Sequence, residues 1–168
     1  MLEERSDNLK VVRRVIRRKN AGQSCEARKK TLQEVRQKGT YDLEALEELI
    51  GSLMEASSRG VAIIVEGRRD EAALRALGIH GPVIMASRRS ALCLAEDAAR
   101  CYAAIILLTD WDEKGEEMAL NIAQHLQGAG LRPDLEIRSR LKKLVRKEIK
   151  DVESLSPYIA RMREQYGP

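Results

Sequence analysis

Two short runs limit what this chain can fold into. Val61-Ala62-Ile63-Ile64-Val65 and Ala103-Ala104-Ile105-Ile106-Leu107-Leu108 are apolar at every position. They lack the polar alternation of a strand with one face in water. Such runs form strands buried on both faces, which requires helices that cross over each face of a parallel sheet. The flanking segments agree. Leu43, Leu46, Ile50 and Leu53 share one stripe behind Asp42, which predicts a helix over 42–58 that Gly60 ends. A second helix, with Ala73, Leu74 and Leu77 inward, stops at Gly78. Pro82 to Ala86 reads as a strand and 88–100 as a helix with Leu92, Ala95 and Ala99 inward. The helix after Gly115 carries Met118, Ile122 and Leu126. Leu135 and Ile137 suggest a short further strand, a basic helix follows over about 138–149, and Pro157 opens a last helix. Strand–helix alternation with short connections gives an α/β three-layer sandwich of about four parallel strands.

Charge divides the chain differently. Residues 1–40 hold 12 Lys/Arg against 5 Asp/Glu, so a net charge of +4 overall leaves −3 for the rest. Leu9, Val12 and Ile16 could share one helical face and Leu32 and Val35 another, with Gly22 and Ser24 between. Residues 1–39 are therefore expected to be a basic extension, helical or partly disordered. Gly39 marks its boundary with a domain over 40–168, whose core spans 60–150 and whose C-terminal helix spans 154–166. Within that domain, residues 136–150 carry 7 basic and 2 acidic side chains. Leu141, Leu144, Val145 and Ile149 face inward there. Arg140, Lys143, Arg146, Lys147 and Lys150 then line the outside, either as a solvated face or as a surface for nucleic-acid phosphates.

Composition removes several classes. Aromatic residues are 3% of the chain, with no Phe and one Trp, which is poor equipment for stacking single-stranded bases. Cys25, Cys93 and Cys101 have no zinc-type spacing and fit a reducing compartment, with Cys93 and Cys101 read as packing residues. No stretch approaches the length of a membrane span, so the expectation is a soluble, cytoplasmic protein without membrane contact.

Both apolar runs end in acid. Glu66-Gly67 follows the first, and Thr109-Asp110-Trp111-Asp112-Glu113-Lys114-Gly115 includes the end of the other. Ligands of open parallel sheets bind outside the strands' carboxyl ends. Parallel strands therefore bring Glu66, Asp110 and Asp112 to one edge. Two readings stand at this point. The acids hold a hard divalent cation, Mg²⁺ foremost, or an aspartate caps the following helix. Trp111, between the aspartates, points away from them and either covers the sheet's end or stacks on a base.

VAIIVEG at 61–67 and TDWDEKG at 109–115 resemble the two signatures of the Toprim domain. These are a strand ending in Glu-Gly and a later strand ending in Asp-x-Asp with a glycine shortly after. The likeness covers about 42–157 and includes Lys150-Asp151-Val152-Glu153-Ser154 as a less specific late acidic segment. The chain is most similar to small stand-alone, archaeal-type Toprim proteins, which are similar to the bacterial ribonuclease that matures 5S ribosomal RNA. The resemblance implies a Rossmann-like sandwich and Mg²⁺, or Mn²⁺ in its place. It makes Glu66 a general acid/base and a shared ligand, with Asp110 and Asp112 as metal ligands. Asp151 and Glu153 either supplement the metal site or cap a helix ahead of Pro157. Gly67 gives room to a phosphate or is an ordinary loop glycine. Arg68, Arg69, Arg88, Arg89 and Lys114 are phosphate contacts or, on the plainer reading, surface ion pairs.

Two functions follow. One is Mg²⁺-dependent phosphodiester chemistry on nucleic acid, a nuclease or RNA-processing activity with RNA favoured over DNA. The other is a non-catalytic Mg²⁺-binding module recruited to a ribosomal, RNA-processing or repair complex. A nucleotide-binding regulator rests on fold alone. The chain is too short for a topoisomerase gate, and no zinc module supports a primase.

Overall fold

The computed structural model describes residues 25–168. The expectations for residues 1–24 lie outside the described residues. The chain divides into two units at Tyr41 and Asp42, and the sheet lies in the second. Helix α1 runs Cys25–Ser58, β1 Ala62–Val65, α2 Arg68–Ala76, β2 Val83–Met85, α3 Ala91–Cys101, β3 Ile105–Leu107, α4 Glu113–Gly128, α5 Glu136–Val145 and α6 Leu155–Tyr166. A single 3₁₀ turn, Ala86–Arg88, links β2 to α3.

The three strands are parallel in the order β2-β1-β3. β1 is central, and its side chains alternate between two cores. Ile63 and Val65 join Ile106 and Leu108 beneath α1, α2, α5 and α6. Ala62 and Ile64 join Ile105 and Leu107 beneath α3 and α4. Both faces are covered, which is why neither run shows polar alternation. The chain leaves β1 toward β2 and later reaches β3 on the other side. The carboxyl ends of β1 and β3 therefore flank a topological switch point, the usual place for a ligand in an open α/β sheet.

Four expectations need correction. The sheet has three strands rather than about four. The segment at Leu135–Ile137 contributes only a one-residue parallel bridge, Ile106 with Asp134. Asp134 makes both bonds of that bridge, and its carboxylate then accepts the Glu136 N–H at 2.7 Å as the chain turns into α5. The first helix does not begin at Asp42, since α1 continues through Gly39. One glycine inside a helix costs about 1 kcal/mol relative to Ala, too little to stop a long one. The α3 stripe is Leu94, Ala95 and Ala98, while Leu92 is 49% exposed. The turn at 86–88 and an N-cap at Ser90, which accepts the Cys93 N–H, start this helix at Ala91, three residues later than expected. Cys93 and Cys101 are exposed rather than packed.

Candidate functional site: an acidic corner

Main-chain bonds knit the carboxyl ends of the strands together. Beyond β1, the Glu66 carbonyl accepts the Ser87 N–H at 2.9 Å, joining this corner to the segment after β2. Beyond β3, the ladder continues through the Leu108 N–H to the Ile64 carbonyl at 2.8 Å. The Glu66 carboxylate then accepts the Asp110 N–H at 3.3 Å. The first strand's acid thus reaches the third strand's acidic loop, as parallel strands require.

A second set of bonds ties that loop to the chain after α5. The Asp110 Oδ1 accepts the Val152 N–H at 2.9 Å. Trp111 donates its main-chain N–H to the Lys150 carbonyl and its indole Nε1–H to the Ile149 carbonyl at 2.7 Å. Trp111 is buried, so it covers the sheet's end and offers no face to a base. Asp112 is the N-cap of α4, accepting the Gly115 N–H at 2.7 Å. Gly115 is there because nothing larger fits: a Cβ at that position would lie 2.0 Å from the Asp110 carbonyl oxygen.

The electrostatics are those of crowded anions. Burial pushes the Asp110 carboxyl up to about 7, and the charges of Asp70, Glu66 and Asp151 add to this against the opposing Val152 N–H. Glu66 is raised by burial and by Asp112 and Asp70, against the Asp110 N–H and the nearby Lys114 ammonium. Asp70 is also raised, first by burial, although the N–H groups of Gly67 and Glu153 hold its charged form. The donor set is oxygen only and short of positive charge, which fits a hard divalent cation. The clasp itself differs from the expected one. Among the described residues, no three His, Cys, Asp or Glu side chains stand as a ready-made ligand group. Carboxylates repel one another, and Asp110 and Asp112 are each turned to a separate backbone N–H.

The other expected site residues differ in what surrounds them. Arg68 and Arg69 are exposed in the first turn of α2, and Arg69 approaches Glu153 at 3.6 Å. Arg88 and Arg89 follow β2 instead of opening a helix, and Arg89 is paired with Asp97. Asp151 accepts the Ser154 N–H at 2.8 Å, a turn-capping role, while its charge bears on Asp110. Lys143 is exposed on α5. Arg146 and Lys147 are exposed just past its end, since this helix stops at Val145 and not near 149.

Two residues of the corner escaped the sequence reading. Asp70 is 6% exposed and accepts the Gly67 N–H at 3.0 Å. Its signal was a carboxylate three residues after the turn glycine, the spacing at which a side chain reaches back to a helix's first N–H. Arg138 is also 6% exposed. Its signal was a place on the inward stripe, three and seven residues before Leu141 and Val145.

A parallel sheet with a Glu-Gly corner on its central strand and an Asp-x-Asp corner on its neighbour defines a Toprim domain, and the chain belongs to that family. The family's model matches residues 61–153. The chain is 44% identical to a UPF0292 protein of Methanosarcina barkeri over 125 residues, covering 74% of this chain and 87% of the relative. It is also 44% identical to a UPF0292 protein of Pyrococcus abyssi over 109 residues, covering 64% and 80%. Among solved structures, a putative protein from Aquifex aeolicus superposes with a TM-score of 0.57 at 30% identity, covering 64% of this chain and 95% of that one. Membership relates the chain to metal-dependent function on nucleic acids. Among the described residues, no helix is long and apolar enough to cross a membrane.

Proposed function

We propose that this protein performs Mg²⁺-dependent phosphodiester chemistry on nucleic acid at the acidic corner, with structured RNA as the favoured substrate. The observation that carries this reading is the meeting of Glu66 with the Asp110 loop, with both carboxyls held above their ordinary range. Carboxyls of that kind are suited to proton transfer and to cation binding. Glu66 acts as the general acid/base and shares in holding the cation. Asp110 and Asp112 hold it, with Asp151 beside them. Mn²⁺ substitutes for Mg²⁺. When bound, the cation supplies Lewis-acid polarisation of a phosphoryl oxygen. Gly67 gives the backbone room against a phosphate. Arg68, Arg69, Arg88, Arg89 and Lys114 contact phosphates near the corner. Lys143, Arg146 and Lys147 bind the nucleic-acid backbone farther along. RNA processing in the cytoplasm, alone or with ribosomal or RNA-processing proteins, is the setting that the likeness to the 5S ribonuclease suggests.

A second reading has its own support. Asp112 serves as a helix cap and Asp110 holds Val152, as they would in a module that binds nucleic acid without cutting it. One comparison separates the two. Labelled structured RNA, single-stranded DNA and duplex DNA are incubated with the protein in Mg²⁺ or in chelator, beside Glu66→Gln and Asp110→Asn. Metal-dependent cleavage lost in both variants supports the enzyme. Binding that persists in both, with no substrate cut, supports the module.

A further inference from the structure

Arg138 is a basic residue in the core, with its side chain 7% exposed. A buried guanidinium is expensive to desolvate even when it is paired, and an apolar side chain of similar volume would usually serve stability as well or better. Its contacts show what the charge does instead. Nε donates to the Thr109 carbonyl at 3.0 Å and to Thr109 Oγ1 at 3.1 Å. One terminal nitrogen donates to the Asp110 carbonyl at 2.6 Å. The other donates to Glu116 at 3.1 Å, a carboxylate that also pairs with Lys142. Three of these four bonds end on Thr109 and Asp110, where β3 gives way to the acidic loop.

Those two residues are held by α4 as well. Thr109 Oγ1 donates to the Gly115 carbonyl at 2.9 Å. Gly115 itself packs so closely on the Asp110 carbonyl that no Cβ fits between them. The Asp110 carbonyl thus meets both the first turn of α4 and the planar fork of Arg138. A lysine has one nitrogen on a flexible stem and cannot reproduce that fork.

We infer that Arg138 is a positioning residue: it locks the Thr109–Asp110 main chain and so aims the Asp110 carboxylate at the corner's ligand. The cation arm of its test rests on the function proposed above, whereas the geometric arm does not. Trp111, the chain's one tryptophan, lies next to Asp110 and reports the loop's geometry through its fluorescence.

The test compares the full chain with Arg138→Met, Arg138→Lys and Leu94→Ala. The last removes a buried side chain from the other core, which does not include Trp111. Thermal melts, Trp111 emission and Mn²⁺ calorimetry are recorded on each. Leu94→Ala is expected to melt lower with unchanged emission and Mn²⁺ affinity. Both Arg138 variants are expected to shift Trp111 emission to the red and weaken Mn²⁺ binding by about 10-fold or more. Arg138→Lys carries the comparison if Arg138→Met does not fold. Arg138 variants that match Leu94→Ala in emission and affinity overturn the inference, since the residue would then be structural only. If the parent chain takes up no Mn²⁺, the proposed function fails while Trp111 emission still decides the positioning role.

Discussion

Asp110 concentrates the chemistry of the corner in one carboxyl. Burial holds its folded-state value near 7, above the unfolded value, so the folded chain binds this proton the more tightly. The group's favourable contribution is complete below about pH 4 and is lost as pH rises through 7. Asp110→Asn keeps an oxygen for the Val152 N–H and removes the charge. It is expected to raise the melting temperature at pH 8, by about 1 kcal/mol of stability after solvent screening, and to change little at pH 4. Melts at the two pH values check this, and a gain of equal size at both would refute it. Divalent-cation affinity of the parent chain should climb across the same interval, which calorimetry at pH 6 and pH 8 measures. Gly115 is the other decisive residue. Gly115→Ala drives a methyl into the Asp110 carbonyl, and the predicted loss is roughly 1–3 kcal/mol of stability with weakened cation binding. A variant as stable as the parent in urea titration would show that α4 can shift freely.

At the scale of elements, α5 has two faces with separate tasks. Its inner face holds Ile137, Arg138, Leu141 and Val145 in the core, while Lys143 on the helix and Arg146 and Lys147 just beyond it face water. Replacing these three outer residues with alanine should leave the melting temperature nearly unchanged. It should also reduce the slope of log affinity against log salt for duplex nucleic acid by about 2–3. An unchanged slope would remove this surface from the binding path. The same element shows what sequence could and could not reveal. The buried strands were legible because burial on both faces leaves an unbroken apolar run. The acids at their ends were legible because parallel topology fixes which edge they share. Arg138 was not, because its partners are main-chain carbonyls of a segment 28 and 29 residues away. No pattern of side chains announces them. The start of α3 was missed for a local reason: Ser90 caps it, and Arg88 and Arg89 looked like a helix's first turn. Aspartates 110 and 112 were legible as a pair, but the backbone donors that separate them, Val152 and Gly115, depend on how the loop closes.

For the whole molecule, β1 is the keystone, fully buried and paired on both sides. Ile64→Ala should lower stability by about 2–5 kcal/mol, measured by denaturant unfolding. The basic surplus of residues 1–40 suggests a further role in attraction to polyanions. Deleting residues 1–39 is expected to weaken nucleic-acid binding most at low salt, and equal affinity across a salt series would count against it.

The sheet's margins have a consequence of their own. A parallel sheet of three strands has two open rims along which a neighbouring molecule's backbone could add, yet neither rim here is inviting. On the β3 side the chain stops after a single bridge at Asp134 and turns away behind Pro133. On the other side, β2 is only three residues long. Short or blocked rims discourage the strand-to-strand association that begins fibrils. The turn that cuts a fourth strand short at Asp134 also helps to keep this fold's copies apart.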